Sequence, residues 1–235
     1  MIGVLVQLAI SWILLWFVEK EHLNVLGVIP TKKRISQLSV GIAIAVVCCV
    51  GYFILAFEIE SKAFKVNPHF TLISLLKGIY WVLNSVLFEE LIFRGALLYI
   101  AMMRIGEMKA SLLSAICFGV YHWFSFGVWG NPVPMIFVFL MTSIWGFMFA
   151  MSFVKTKSLY LPIGLHFGWN FVTIIIFSNG PLGGQFLLIT GGHAAEGLVS
   201  MSVFVFQVFA MPLVVYWYLR FTNQIASSQS STSSD

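Results

Sequence analysis

Charged side chains are scarce in this sequence. Asp, Glu, Lys and Arg together make up 9% of its 235 residues, whereas 60% of the residues are hydrophobic. Mean hydropathy is +0.95, and 23 residues are Phe and 8 are Trp. Because an ordinary soluble domain carries about a quarter charged residues, this composition excludes that class. It predicts instead a protein embedded in the lipid bilayer.

Clusters of basic residues and a cysteine framework are also lacking. The net charge of +4 arises from scattered Lys and Arg residues, so we expect no nucleic-acid partner. Loops that face an anionic cytoplasmic leaflet explain the charge better. The three cysteines, Cys48, Cys49 and Cys117, all lie in apolar runs, and adjacent cysteines cannot easily bridge. We therefore predict no disulfide framework.

Long apolar runs are what the sequence has instead. About seven segments approach the ~20 residues that a bilayer-spanning helix needs: residues 1–18, 39–57, 72–103, 111–126, 133–154, 159–177 and 199–221. The predicted fold class is therefore all-α, a polytopic membrane helix bundle with about seven transmembrane helices. We expect one membrane-embedded domain over residues 1–221, with its motif core at 85–175, and a disordered Ser-rich tail at 222–235.

The distribution of basic residues predicts the orientation of the bundle. If the segments alternate in direction, nine basic residues fall on one side: Lys20, Lys32, Lys33, Arg34, Arg104, Lys109, Lys155, Lys157 and Arg220. The loops on the other side hold only Lys62 and Lys65. Cytoplasmic loops collect Lys and Arg, so we predict the N-terminus outside and the C-terminus in the cytoplasm.

Three charged residues interrupt the third apolar segment, in the run FEELIFR. A charge near the bilayer centre costs from roughly 3 to more than 10 kcal/mol, so such residues usually face a protein interior and mark function. Glu90 and Arg94 are four residues apart and share a helix face, where a purely structural ion pair is an equally good explanation. Glu89 points about 100° away, and that explanation does not cover it.

Histidines occur at comparable depth in the fourth and sixth segments. His122 ends the run FGVYH, and His166 and Asn170 share one face in HFGWN. A single intramembrane histidine more often hydrogen-bonds between helices than catalyses a reaction. Two histidines, two glutamates, an arginine and an asparagine on three helices favour one shared cavity. Such a set can activate a water molecule and stabilise an oxyanion, which suits hydrolysis of a peptide bond.

These motifs carry a family resemblance. EELIFR matches the pattern Glu-Glu-x-x-x-Arg, FGVYH matches Phe-x-x-x-His, and HFGWN matches His-x-x-x-Asn. In these motifs and their order, from about Glu89 to Asn170, the sequence resembles the CAAX protease and bacteriocin-processing (CPBP, or Abi) family of intramembrane glutamate proteases. Outside that region the likeness is limited to apolar helices.

The resemblance implies a role for each motif residue, with Glu89, His122, His166 and Asn170 catalytic and Glu90 and Arg94 supporting. Glu89 would be the general base, and His122 would help to orient and activate the water. His166 and Asn170 would form the oxyanion site. Helical geometry alone does not select Glu89 over Glu90, since both are compatible with it.

The resemblance further implies a metal-free endopeptidase without a cofactor, acting on a membrane-associated protein or peptide. Zinc remains an alternative, because Glu and His are zinc ligands, although no His-Glu-x-x-His pair is present. A non-catalytic immunity or scaffold protein that binds a peptide is a second alternative. A proton-coupled transporter is a third, but no internal repeat is evident. Short loops and the lack of an organellar targeting segment favour a multi-pass protein of a bacterial plasma membrane.

Overall fold

Helices dominate the computed structural model, which describes residues 1–193 and 195–232 and the side chains up to residue 222. The α-helices in chain order are α1 (Ile2–Glu19), α2 (Lys32–Glu60), α3 (Leu72–Arg94), α4 (Ala96–Ile105), α5 (Glu107–Ser125), α6 (Pro132–Thr156), α7 (Tyr160–Asn170) and α8 (Gly197–Thr232). A 3₁₀ turn, Leu23–Leu26, follows α1, and a π-helical turn, Phe171–Ile176, continues α7. The all-α prediction is confirmed.

The structure supports fewer membrane spans than the sequence predicts. Among the described residues, four helices, α1, α2, α6 and α8, are long and apolar enough to cross a bilayer, which supports a membrane location. Seven spans are not confirmed. The α7 helix has only 11 residues, and α3 contains four charged side chains, Lys77, Glu89, Glu90 and Arg94.

The third predicted segment, 72–103, is divided at Gly95 into α3 and α4. A Cβ atom at Gly95 would collide with the carbonyl oxygen of Leu91, so only glycine fits this bend. The break ends α3 immediately after Arg94. The last residue of the charged motif is therefore also the last residue of its helix.

Two short strands form an antiparallel pair that the sequence analysis treated as loops. In the pair, β1 (Lys62–Val66) runs against β2 (Leu187–Gly191), with Lys62 opposite Gly191 and Val66 opposite Leu187. The side-chain amide of Asn67 donates to the carbonyl oxygen of Gln185 at 2.9 Å and holds the adjoining loops together. We call this part of the bundle, where α3 begins, the sheet end.

The opposite end of the bundle gathers basic residues, and we call it the basic end. There, Arg104 after α4 lies 3.1 Å from Glu19 of α1, and Lys157 after α6 lies 2.8 Å from Glu107 of α5. At this end, Thr31 caps the start of α2, since its hydroxyl oxygen accepts a hydrogen bond from the Arg34 backbone amide. The segments therefore alternate in direction, as the prediction of orientation from the basic residues assumed.

Small residues bring α2 and α7 into close contact. A Cβ atom on Gly164 would overlap the carbonyl oxygen of Leu38, and one on Gly168 would lie 2.8 Å from the carbonyl oxygen of Ile42. Glycines four residues apart let helix backbones approach in this way. His166 lies between the two glycines in sequence, so this contact sets its position in the bundle.

The remaining sequence predictions concern cysteines and the tail. Cys48, Cys49 and Cys117 are free thiols, and the first two are buried. The domain boundary at residue 221 stays a prediction. The expected disordered tail, 222–235, falls mainly on residues whose side chains lie outside the described part, and 233–235 lie outside it altogether.

Candidate active site

Glu89 lies between two histidines from different helices. Its Oε2 atom is 3.8 Å from Nε2 of His122 on α5 and 3.8 Å from Nε2 of His166 on α7. All three residues are buried, and no protein group within the described part of the chain hydrogen-bonds to Glu89 Oε2. Both distances are too long for a direct hydrogen bond, but one water molecule could reach the carboxylate and an imidazole together.

A backbone contact orients His122. Its Nδ1 atom lies 2.8 Å from the carbonyl oxygen of Phe118, one helical turn earlier. Because a carbonyl oxygen can only accept, Nδ1 carries the hydrogen. In the neutral ring, Nε2 therefore presents its lone pair towards Glu89. The Phe-x-x-x-His spacing is the reason that this contact can form.

A carboxylate orients His166. Its Nδ1 atom lies 2.8 Å from Oε1 of Glu90, whose side chain is fully buried. The Glu90 carboxyl oxygen accepts the Nδ1 hydrogen, and the ring then directs Nε2 towards Glu89. The sequence predicts a pair of Glu90 with Arg94 alone, so the contact of Glu90 with His166 is visible only in the structure. Two neighbouring glutamates thus face opposite sides of the same imidazole.

Arg94 completes the charge balance beneath His166. Its guanidinium lies 3.4 Å from Glu90 Oε1, and both side chains are completely buried. Aromatic rings cover the guanidinium, whose carbon is 4.1 Å from the centroid of Phe118 and 4.9 Å from that of Phe149. Such cation–π contacts stabilise a desolvated cation by about 2 kcal/mol. The ion pair between Glu90 and Arg94 that the spacing predicted is therefore present.

Two phenylalanines contribute to the site in ways that the sequence analysis missed. Phe118 belongs to a quoted motif, but only the structure shows that its ring covers Arg94 while its carbonyl holds His122. Phe149 of α6 stacks on His166 with ring centroids 5.1 Å apart and planes at 17°. No spacing or motif distinguishes Phe149 from the other phenylalanines of α6, so the sequence contained no signal for it.

A cavity of about 430 Å³ adjoins these groups. Glu89, His122, His166 and Asn170 all line it, so the structure brings the four predicted catalytic residues to one space. The further lining residues are Trp81, Ser85, Phe118, Ser125, Phe126, Met141, Thr142, Trp145, Phe149, Trp169, Thr173, Ile174, Asn179, Gly180, Pro181 and Gln207. Its wall therefore combines aromatic rings with neutral hydrogen-bonding side chains.

Side chains that can ligate a metal ion occur in this site. Glu89, His122 and His166 are the residues of a type that could ligate zinc here. Within residues 1–193 and 195–232, however, no group of three or more His, Cys, Asp or Glu side chains is arranged to hold a metal ion. A chelation experiment tests the zinc alternative.

The fold and this cavity define a multi-pass helical membrane protein with a glutamate and histidine site inside the bundle. The family model described as type II CAAX prenyl endopeptidase Rce1-like matches residues 71–172, from the start of α3 to just beyond α7. The match confirms the resemblance found in the motifs and covers the same helices. Proteins of this family are generally peptide hydrolases. No curated protein and no solved structure matches the chain at a significant level.

Proposed function

We propose that the protein is an intramembrane endopeptidase that hydrolyses a peptide bond of a membrane-associated protein or peptide with a water activated by Glu89. The observation that carries this proposal is the position of Glu89 Oε2, 3.8 Å from two imidazole nitrogens on the wall of a 430 Å³ cavity. A plasma membrane of a bacterium is the proposed location.

Water activation uses Glu89 and His122. With the His122 hydrogen on Nδ1, its Nε2 accepts one hydrogen bond from a water, and Glu89 Oε2 accepts the other. Such a water is oriented by two acceptors and can lose a proton to the carboxylate as its oxygen attacks the scissile carbonyl carbon. Glu89 then carries the proton that the leaving nitrogen needs.

Stabilisation of the oxyanion uses His166 and Asn170. In the proposed step His166 acts as an imidazolium, whose Nδ1–H donates to the Glu90 carboxylate and whose Nε2–H donates to the oxyanion. The side-chain amide of Asn170, one turn further along and on the cavity wall, supplies another donor. When the tetrahedral intermediate collapses, the C–N bond breaks and the amine takes the proton from Glu89.

Glu90 and Arg94 act through His166. A buried carboxylate beside an imidazole needs a positive charge nearby, and Arg94 supplies it from 3.4 Å. The rings of Phe118 and Phe149 exclude water from that pair. This arrangement keeps His166 in one orientation, so both residues are positioning residues in the proposal.

The test is cleavage of a panel of membrane-tethered and prenylated peptides by the purified protein. We expect wild type to cleave at least one of them and Glu89→Gln to lose cleavage while retaining its helical content. Glu107→Gln is the matched control, because Glu107 is an exposed carboxylate at the basic end. Equal cleavage by wild type and Glu89→Gln would overturn the assignment of the base.

A chelator and a binding measurement separate the alternatives. Cleavage that survives a zinc chelator supports the metal-free mechanism, whereas loss that added zinc restores would identify a metal enzyme. Peptide binding without cleavage in the wild type would favour a scaffold or immunity protein instead. Both arms use the same preparation.

A further inference from the structure

We infer that substrate reaches Glu89 from the sheet end of the bundle, and therefore from the extracytoplasmic side of the membrane. The inference rests on the proposed function in one respect: that the molecule entering the cavity is a substrate. The direction in which the cavity opens is a property of the fold and does not depend on that function. It decides which class of peptide the protein can take.

The wall of the cavity extends from Glu89 in one direction along α3. That helix begins at the sheet end, and its cavity-lining residues are Trp81, Ser85 and Glu89, one on each successive turn. No residue of α3 beyond Glu89 lines the cavity, although Glu90, Leu91 and Arg94 follow. On this helix the cavity therefore runs from Glu89 towards the sheet end.

The other helices agree with this direction. Along α5, which runs from the basic end to the sheet end, the lining continues from His122 to Ser125 and Phe126 at the end of the helix. Beyond α7 it continues through Thr173 to the loop containing Asn179, which leads into β2. Three independent elements thus place the mouth at the same end.

Towards the basic end the cavity has a closed floor. Phe118 and Phe149 lie at that limit, and each is nearly inaccessible to solvent. Behind them lies Arg94 with a fully buried side chain. In the part of the chain that the structure describes, an aromatic layer over a buried ion pair therefore separates Glu89 from the basic end.

Two solvent-exposed residues mark the opening of the cavity. Ser125 at the end of α5 and Asn179 after the π-helical turn are both exposed and both line the cavity. Gly180 and Pro181 continue the rim. A peptide entering here would pass between α5 and the loop before β2.

Charge distribution assigns this mouth to a side of the membrane. Arg104, Lys109, Lys155 and Lys157 border the basic end, whereas the strand β1 holds Lys62 and Lys65 at the sheet end. Lys and Arg are in excess in cytoplasmic loops. The basic end is therefore cytoplasmic and the mouth is extracytoplasmic.

The lining also restricts the substrate. Apart from Glu89 and the histidines, the residues that line the cavity are uncharged, and Trp81, Trp145 and Trp169 supply large aromatic faces. Burying a substrate charge against them without a partner would be costly. We therefore infer an uncharged, largely apolar or aromatic segment around the scissile bond, on an exported peptide or an extracytoplasmic stretch of a membrane protein.

Thiol labelling tests the direction without requiring cleavage. In a Cys117→Ala background, which removes the exposed native thiol, Ser125→Cys reports the mouth and Asn170→Cys reports the cavity beside Glu89. Lys33→Cys, in the exposed first turn of α2, reports the basic end. Intact cells and inverted membrane vesicles are treated with the membrane-impermeant reagent sulfonatoethyl methanethiosulfonate.

We expect Ser125→Cys and Asn170→Cys to react in intact cells at least tenfold faster than in inverted vesicles, and Lys33→Cys to show the reverse. Reaction of Asn170→Cys only in inverted vesicles, or from neither side, would overturn the inference. Adding Glu89→Gln to the Ser125→Cys protein leaves labelling unchanged while it removes cleavage. Failure of the proposed function is thereby distinguished from failure of the direction.

Cleavage of three reporter substrates tests the inferred class of substrate. One uncharged aromatic segment is placed on either the extracytoplasmic or the cytoplasmic side of the same membrane anchor, and a third reporter carries two lysines in the extracytoplasmic segment. We expect cleavage of the first reporter only. Cleavage of the cytoplasmic reporter, or equal cleavage of the lysine reporter, would contradict the inference.

Discussion

The indole N–H of Trp145 donates a 3.1 Å hydrogen bond to the backbone carbonyl of Val208. Pro212 lies four residues further along α8 and has no N–H, so this carbonyl lacks its usual helical donor. Trp145 also lines the cavity. A single side chain of α6 therefore satisfies the proline break in α8 and connects that helix to the wall of the site.

Replacing Trp145 by Phe tests this connection. Trp145→Phe keeps an aromatic ring but leaves the buried Val208 carbonyl without a donor, which we expect to lower the free energy of unfolding by about 1 kcal/mol. The measurement is thermal or detergent-induced unfolding of the purified protein. Trp217→Phe on the exposed face of α8 is the control, and equal stability of the two variants would contradict the prediction.

The glycine contact between α2 and α7 predicts a second effect. In Gly164→Ala the new methyl group meets the Leu38 carbonyl, so the helices must separate at a cost of about 1 to 3 kcal/mol. Because His166 lies two residues away, we also expect slower cleavage. Gly51→Ala is a matched control, as its Cβ would lie 3.8 Å from the Phe206 ring in ordinary contact. Unfolding and cleavage are measured on both variants.

The buried ion pair should show strong coupling. Glu90→Gln and Arg94→Met each leave one buried charge without its partner, which costs about 3 to 5 kcal/mol in unfolding free energy. The double variant should lose less than the sum, by about 0.5 to 3 kcal/mol. For comparison, Glu19→Gln and Arg104→Met remove a more exposed pair and should each change stability by less than about 1 kcal/mol. Additive losses at Glu90 and Arg94 would refute the coupling.

The ring and the backbone carbonyl of Phe118 have different partners, and a substitution can distinguish their contributions. Phe118→Leu removes the aromatic face that lies 4.1 Å from Arg94 but keeps the carbonyl that binds His122. We expect unfolding free energy to fall by about 2 kcal/mol, with cleavage reduced but not abolished. Phe124→Leu, at an exposed position of the same helix, is the comparison. Unchanged stability of Phe118→Leu would show that the ring contact contributes little.

Asn170 should affect the rate rather than binding. If its amide donates to the oxyanion, Asn170→Ala lowers kcat by about 100-fold to 1,000-fold and changes KM little, since the interaction strengthens only in the transition state. Asn179→Ala at the rim of the cavity should act mainly on KM. The measurement is kcat and KM of both variants with the same peptide. A change in KM alone for Asn170→Ala would show that Asn170 does not stabilise the oxyanion.

Much of the fold followed from hydropathy alone. The apolar runs 39–57 and 133–154 lie within α2 and α6, since helices satisfy the backbone hydrogen bonds that a bilayer cannot. The run 72–103 was read as one segment, and it divides at Gly95 because of a close backbone contact that hydropathy does not register. The strand pair was missed because its partners are more than 120 residues apart in sequence.

Within the site, local spacing by itself determined the Glu90–Arg94 pair and placed His166 and Asn170 on one face, because residues four apart on a helix are neighbours. Composition likewise determined that the protein resides in a membrane. Only the tertiary structure decided that Glu90 binds His166, that Phe149 covers both His166 and Arg94, and that the cavity opens at the sheet end. Those contacts join different helices, and their distances depend on packing such as that of Gly164 against Leu38, which no local pattern records.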